Sequence, residues 1–323
     1  MKVSVVMAVY NGEKYLLQQL DSIKNQTRVP DEVLIGDDGS SDSSVALIKD
    51  YIKKHKLSWK LTINSTRKGF GGNFFSLMNR TTGDVIFPSD QDDVWRLDKI
   101  EKMVDIMENR PEVSLLISEY RIVPSSFSVS NSNQKKMTSI AEKCEITKLN
   151  LYDVITGKDK SCPFAGMAQC IRSSFYFNRF KSIKIIPFVH DRLMVLLAAD
   201  AGGFYKFNDY TVFHRVHENN TSGINRSFLY RVFNVSLSDR LKLLETFKNE
   251  DQSYLDSGVS MSETLKTYLV ALSAYQTEKV YAIQTGDGKH LFRVFWQNRE
   301  KGHIRFLSFL SDCRYVLLRK IHG

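Results

Sequence analysis

The chain has 323 residues, 42% of them hydrophobic and 25% charged, which supports one large core with an appendage, or two domains, and excludes a disordered or low-complexity protein. Lys and Arg number 45 against 36 Asp and Glu, and the net charge of +9 favours an anionic partner: a phosphorylated ligand, a phospholipid surface or nucleic acid. No nucleic-acid motif or basic-aromatic repeat supports the last of these.

Val3 to Val9, followed by the turn Asn11-Gly12, reads as a first strand. This run is too short for a signal-peptide core, and no other run approaches the roughly 18 apolar residues of a membrane span, so a cytoplasmic protein is expected. Leu16, Leu20 and Ile23 recur at helical spacing, Glu32 to Ile35 forms a second strand ending in Asp37-Asp38-Gly39, and Val45, Ile48 and Ile52 mark a second helix. Leu61 to Ile63 predicts a third strand, Phe74, Leu77 and Met78 a third helix, and Val85 to Phe87 a fourth strand that runs into Ser89-Asp90-Gln91-Asp92-Asp93. The alternation predicts a sheet flanked by crossover helices, with each acidic cluster just past the carboxyl end of a strand, where open α/β sheets bind ligands. Val113 to Val123 reads as strand and Pro124 to Lys136 as a Ser/Asn-rich loop, and residues 146 to 215 carry further apolar runs. From about Ser227 helical periodicity takes over, as in Leu229, Val232, Phe233, Leu237, Leu241 and Leu244. The four cysteines, Cys144, Cys162, Cys170 and Cys313, form no Cys-x-x-Cys pair and are expected to be reduced thiols.

Asp90-Gln91-Asp92-Asp93 packs three carboxylates into four residues, which repel one another unless a cation or several donors neutralise them. A solvated acidic turn is the plain alternative, but the cluster follows a buried-looking strand and precedes Trp95, which places it beside an aromatic wall. Asp38, with Tyr10-Asn11 at the neighbouring strand end, is placed to accept a nucleobase N-H while the tyrosine ring packs on the base. Asp42 reads as a helix N-cap. The loop Lys68-Gly69-Phe70-Gly71-Gly72-Asn73 lets backbone approach a phosphate or ribose closely.

The order Val9-Tyr10-Asn11, Asp37-Asp38-Gly39-Ser40, Lys68-Gly69-Phe70, Gly83-Asp84 and Ser89-Asp90-Gln91-Asp92-Asp93-Val94-Trp95 resembles the family 2 glycosyltransferases with the GT-A fold, most of all their bacterial rhamnosyltransferase branch. Pro163-Phe164-Ala165-Gly166-Met167, Val189-His190-Asp191 and Phe213-His214-Arg215-Val216-His217-Glu218-Asn219-Asn220 extend the resemblance to about residue 223. It implies an α/β architecture, a Rossmann-like central mixed sheet flanked by helices, with a C-terminal helical appendage. The implied domains are a catalytic domain at 1–225, divided into a nucleotide-binding half at 1–110 and an acceptor-binding half at 111–225, and a helical region at 226–323.

The resemblance further implies an inverting, metal-dependent transfer from a nucleotide sugar. Asp92, with Asp90 and His217, would hold Mg²⁺ or Mn²⁺ against the donor diphosphate. Ala8, Val9, Tyr10, Asn11, Glu13, Asp38, Lys68, Gly69, Asp90, Gln91 and Arg215 would bind the nucleotide sugar. Asp191 matches the base that takes the acceptor hydroxyl proton, its plainer role being the N-cap of a helix over Leu193 to Ala199. Trp95, Gly166, Met167, His190 and Arg192 would face the acceptor, a glycan linked to polyprenyl diphosphate. The lead donor is dTDP-rhamnose, with UDP-galactose or UDP-glucose as alternatives. Arg192-Leu193 stands where the branch usually has aromatic residues, and Pro88-Ser89 where it has an apolar pair, and both bear on the choice of sugar.

A Rossmann dehydrogenase is excluded because Tyr10-Asn11-Gly12-Glu13-Lys14 lacks Gly-x-Gly-x-x-Gly. A catalytically silent nucleotide-sugar or glycan-binding protein of the same fold is the remaining alternative. In the tail, His290 to Trp296, Arg305 to Leu310 and Arg314 to Lys320 alternate aromatic and aliphatic residues with cations. That stripe is suited to peripheral contact with an anionic membrane, or to packing against the catalytic domain or a second subunit.

Overall fold

The computed structural model describes residues 1–128, 145–156, 164–180, 190–218, 236–298 and 306–322. Contacts divide the chain into one unit of Met1–Asn150 with Ser161–Asn219 and a second of Leu151–Lys160 with Asn220–Gly323. The change falls at Asn219/Asn220, against an expected boundary at 225/226, and the Leu151–Lys160 segment clusters with the helical unit.

The first unit is a mixed nine-stranded sheet. Its strands are β1 (Val3–Val9), β2 (Glu32–Asp37), β3 (Lys60–Ile63), β4 (Val85–Ser89), β5 (Val94–Trp95), β6 (Leu115–Pro124), β7 (Ile146–Lys148), β8 (Gln169–Arg172) and β9 (Phe204–Val216). Their order is β3-β2-β1-β4-β8-β6-β9-β5, with β7 also paired to β9. The first four strands run parallel, with β1 between β2 and β4. β8 is antiparallel to β4 and β6, and β9 is parallel to β6. β1 and β4 are almost wholly buried, which is why they read as near-continuous apolar runs, interrupted only by the buried Ser4 and Ser89, and not as alternating ones. Because the chain leaves β1 toward β2 on one side and returns as β4 on the other, the crevice at the carboxyl ends of β1 and β4 is a topological switch point.

Helices α1 (Leu16–Lys24), α2 (Ser44–His55), α3 (Gly69–Met78) and α4 (Lys99–Asn109) join or follow these strands. α1 buries Leu16, Leu20 and Ile23, the residues whose spacing predicts it. The glycine segment expected to be a loop is instead the start of α3, which begins at Gly69 in a left-handed conformation (φ 72°) that only glycine adopts cheaply. Gly71, Gly72 and Asn73 are buried within that helix and do not form an open cradle. After a short helix α5 (Leu151–Thr156) in the second unit, α6 (Ser173–Phe180) and α7 (His190–Asp200) complete the helices of the first.

The second unit contains α8 (Leu237–Asp256), α9 (Glu263–Thr285), α10 (Gly288–Asn298) and α11 (Phe306–His322). Ser236 and Ser262 cap α8 and α9 by accepting the N-H of Asp239 and Leu265, each at 3.1 Å. Leu244, Val280, Ile283, Leu291, Phe309, Tyr315 and Val316 form its core. Within it the fully buried Asp312 of α11 pairs with Arg240 at 2.6 Å and Lys279 at 2.7 Å, so one carboxylate joins three helices. Leu229, Val232 and Phe233 lie outside the described residues, as do residues 129–136 of the Ser/Asn-rich loop.

Candidate active site

Register places the acids. β5 runs antiparallel to β9 with Val94 opposite Phe213, so Asp93, one residue before, meets His214, one residue after. Asp93 Oδ1 lies 2.8 Å from His214 Nδ1 and accepts the Arg215 N-H at 3.1 Å. Burial raises the Asp93 pKa, while its bond to His214 and the imidazolium charge partly offset the rise. Burial opposes the charged form of His214, but Asp93 outweighs it and the His214 pKa rises. Asp92 Oδ2 sits 2.8 Å from His217 Nε2, and the His217 ring stacks on Tyr15 with centroids 4.8 Å apart. Burial, then the Asp93 and Asp92 charges, push Asp90 well above the ordinary carboxylate range, and Asp191 acts in the same direction. The base candidate and the acid cluster therefore share one electrostatic neighbourhood.

On the nucleotide side, Gln91 clamps two strand ends. Its Oε1 accepts the Tyr10 N-H at 2.8 Å and its Nε2 donates to the Tyr10 carbonyl at 2.9 Å. Both ends of the amide are committed to backbone, so Gln91 fixes the β1 turn in this state and does not present a free amide to donor. Asn11, at φ 48°, accepts Ser41 N-H at 2.8 Å, and Glu13 accepts Ser43 N-H at 2.9 Å, which ties the same turn to the loop after β2. Asp42 accepts Ser44 N-H at 2.9 Å, but the N-cap of α2 is Ser43, so Asp42 stands one residue ahead of the expected capping position. Val9 is buried, but its carbonyl accepts the Asp38 N-H at 2.8 Å, and Ala8, half-buried, pairs with Gly36.

Asp38 differs from expectation. Its carboxylate accepts Lys68 N-H and Gly69 N-H, each at 2.8 Å, and Asn64 Nδ2 at 3.0 Å, so it holds the start of α3 in place of a base N-H. The Lys68 ammonium turns to Ser76 Oγ at 2.8 Å. Tyr10 is 38% exposed, as a stacking surface must be, and the Arg67 guanidinium lies 4.0 Å above its ring.

Several acceptor and phosphate assignments need correction. Trp95 is 2% exposed, with its ring against Phe87 and the Lys99 ammonium 4.6 Å away, so it is core and not a cleft wall. The Met167 side chain is likewise buried, and its carbonyl takes a hydrogen bond from Lys99 Nζ at 2.7 Å. Arg215 is wholly buried, its guanidinium donating to the carbonyls of Asp92 at 2.9 Å, Ser125 at 3.2 Å and Phe127, and to Gln18 Oε1 at 2.8 Å. It braces the acid loop and is not extended toward a diphosphate. Asp191 and Arg192 are half-buried in the first turn of α7, so Asp191 lies inside the helix and is not its cap. Gly166 is half-buried in a 3-10 turn ahead of β8, and the His190 side chain lies outside the described set.

Asp92 and His217 supply one hard oxygen and one imidazole nitrogen, chemistry that suits Mg²⁺ or Mn²⁺. Among the described residues no three His, Cys, Asp or Glu side chains gather closely enough to hold a metal, so Asp90 does not complete a cluster with them here. Sequence reasoning gave Asp93, His214, Gln18 and Arg67 no role of their own. Only the acid run and the segment around His214 carried a signal, and neither specified which acid pairs with which base.

The family description Glycosyl transferase family 2 matches residues 4–170. The chain is 25% identical over 73% of its length, and 80% of the relative's, to "Putative glycosyltransferase EpsE" of Bacillus subtilis. It is 37% identical over 31% of its length to "dTDP-rhamnosyl transferase RfbG" of Shigella flexneri, of which the match spans 36%. That short match shares the family without fixing the branch. Among solved structures, S. aureus TarS 1-349 in complex with UDP-GlcNAc superimposes with TM-score 0.59 at 14% identity over 99% of this chain and 91% of that one. The mannosyltransferase PcManGT from Pyrobaculum calidifontis, in complex with GDP-Man and Mn2+, gives TM-score 0.53 at 14% identity, covering 99% and 86%. The matched fold is the GT-A-like one expected, and the chain belongs to glycosyl transferase family 2 and is a glycosyltransferase.

Proposed function

We propose that the chain moves a hexose or 6-deoxyhexose, with inversion, from a nucleotide sugar to a hydroxyl of a growing surface polysaccharide carried on polyprenyl diphosphate. The observation that carries this reading is the acid run that follows β4 at the topological switch point of the sheet, where Asp92 lies 2.8 Å from His217, and we assign Asp191 as the proton acceptor that works with it. Asp191 takes the proton of the acceptor hydroxyl as that oxygen bonds to the anomeric carbon. The bond from that carbon to the diphosphate breaks, and its electron pair leaves with the nucleoside diphosphate. Asp92 and His217, 2.8 Å apart, are the residues that would hold a divalent cation, whose charge would stabilise the leaving diphosphate. Arg215 and His214 keep the acid loop in position, and Tyr10 offers its exposed ring to the base.

The lead donor is dTDP-rhamnose, supported by the resemblance and by the printed name of RfbG. A UDP-hexose is the second reading, favoured by the 28% match to the E. coli enzyme named "UDP-Glc:alpha-D-GlcNAc-diphosphoundecaprenol beta-1,3-glucosyltransferase WfgD". The cations and aromatic residues alternating in the tail support peripheral contact with the inner face of the cell membrane, and among the described residues no helix is long and apolar enough to cross one. Purified protein incubated with a panel of nucleotide sugars and Mn²⁺, read by release of nucleoside diphosphate, tests donor and metal together. Release from no donor in the panel overturns the reading, and release from a UDP-hexose alone replaces rhamnose.

A further inference from the structure

The apolar stripe of the tail is divided by α10 into two faces. Leu291 and Val294 are buried in the helical unit, and Phe295 stacks on Phe309 with centroids 4.2 Å apart. Lys289, Phe292, Arg293 and Trp296 lie on the opposite side, at positions i, i+3, i+4 and i+7, and all four are exposed. Phe292 and Trp296 are 53% and 54% exposed and stack on each other at 5.8 Å, so the helix presents a preformed aromatic pair flanked by two cations.

Phe292 also meets Phe309 edge-on with centroids 6.2 Å apart, yet both aromatic rings keep more than half of their surface in water, an expensive arrangement beside a core filled by the other side of the helix. Charge names the occupant. Residues 286–323 hold eight Lys or Arg against three Asp or Glu. Of those three acids, Asp312 is spent on Arg240 and Lys279, and Asp287 caps α10 through the His290 N-H at 2.9 Å. Beside this face, and sharing Arg293 with it, a cavity of about 380 Å³ is lined by Tyr275, Glu278, His290 and Gln297 among others. There the Glu278 carboxylate, 2.7 Å from His290, repels an anion, so a lipid contact belongs to the open face.

We infer that the Lys289–Phe292–Arg293–Trp296 face of α10 docks on a bilayer containing anionic phospholipid. The aromatic pair enters the headgroup boundary while the two cations meet lipid phosphates. This surface rests on the reading of a lipid-linked acceptor and names the residues that bring the enzyme to it.

The test is flotation of the full chain with vesicles of phosphatidylcholine and phosphatidylglycerol, and with phosphatidylcholine alone, at low and high salt. Wild type is expected to float with the anionic vesicles and to be released by salt. Phe292→Ser with Trp296→Ser should lower partitioning about tenfold or more, and Lys289→Glu with Arg293→Glu about thirtyfold or more, at about 1 kcal/mol per lost cation. Bromine-labelled lipid should quench Trp296. Transfer to a water-soluble acceptor, measured in parallel and unchanged in both double variants, separates failure of this surface from failure of the reaction. The inference is overturned if wild type does not float with anionic vesicles at low salt, or if both variants float as well as it does. It is also overturned if wild type is a lipid-free dimer that the aromatic double variant dissolves.

Discussion

Asp93 Oδ1 lies 2.8 Å from His214 Nδ1, and neither residue is exposed enough for water to replace its partner. Among the described residues Asp93 Oδ2 has no hydrogen-bond partner, so the pairing with His214 and Arg215 N-H carries the burden of keeping this acid inside. Removing one member of such a pair leaves an uncompensated buried group. Asp93→Ala should cost about 3–5 kcal/mol of unfolding free energy. Urea denaturation reads this directly, and an unchanged midpoint would show the pair to be dispensable.

Asp92 faces His217 and shares its loop with Asp90. Asp92→Ala should leave the unfolding midpoint near that of wild type but lower Mn²⁺-dependent turnover about 10³-fold, the scale of several kcal/mol of lost leaving-group stabilisation. EDTA should have the same effect on wild type and almost none on the variant. Near-normal turnover with retained EDTA sensitivity in the variant would remove Asp92 from the metal site.

Asp191 accepts the Arg192 N-H at 2.8 Å and sits in the first turn of α7. Asp191→Asn preserves shape and removes basicity, so turnover should fall about 10²-fold or more with donor affinity unchanged. Titration of donor in binding and turnover assays separates the two. A collapse of affinity without loss of turnover from bound donor would make Asp191 a binding residue.

Lys99 is fully buried, and burial pushes its ammonium down to about 7, with the Met167 carbonyl as acceptor and the Trp95 ring beside it. Unfolding returns the lysine to its ordinary pKa near 10.5, so between about 7 and 10.5 the unfolded chain binds the extra proton. The lysine's contribution to stability therefore rises with pH across that window. Lys99→Met should remove this slope and be at least as stable as wild type at pH 7, which denaturation curves at several pH values would show. Parallel pH profiles for the two proteins would refute the assignment.

Much of the catalytic unit was legible from spacing alone. The run Val3–Val9 and the turn after it marked β1 because a strand buried on both faces is apolar nearly throughout, the buried Ser4 being the one exception. The acids after β4 were legible because their density has few uses. What spacing could not give was direction. Trp95 reads in sequence as a cleft wall, and only its pairing with Val212 on β9 turns it inward. The glycines at 69, 71 and 72 signal backbone freedom, but whether they open a loop or admit close packing depends on Asp38, distant in sequence, fastening the first of them. Arg215 carries the charge of a phosphate ligand, and its burial among carbonyls follows from a fold that local sequence does not encode.

The acid loop follows β4, yet the groups that hold it, His214 and Arg215, arrive 121 or more residues later on β9. A growing chain on the ribosome thus carries its carboxylates for most of the synthesis of this unit without the means to aim them. Proteins are made at about 5–20 residues per second, so that interval lasts several seconds. The crevice that holds these acids is among the last features of the unit to set, and a nascent chain interrupted before β9 would hold the family's acidic signature without the strand that fastens it.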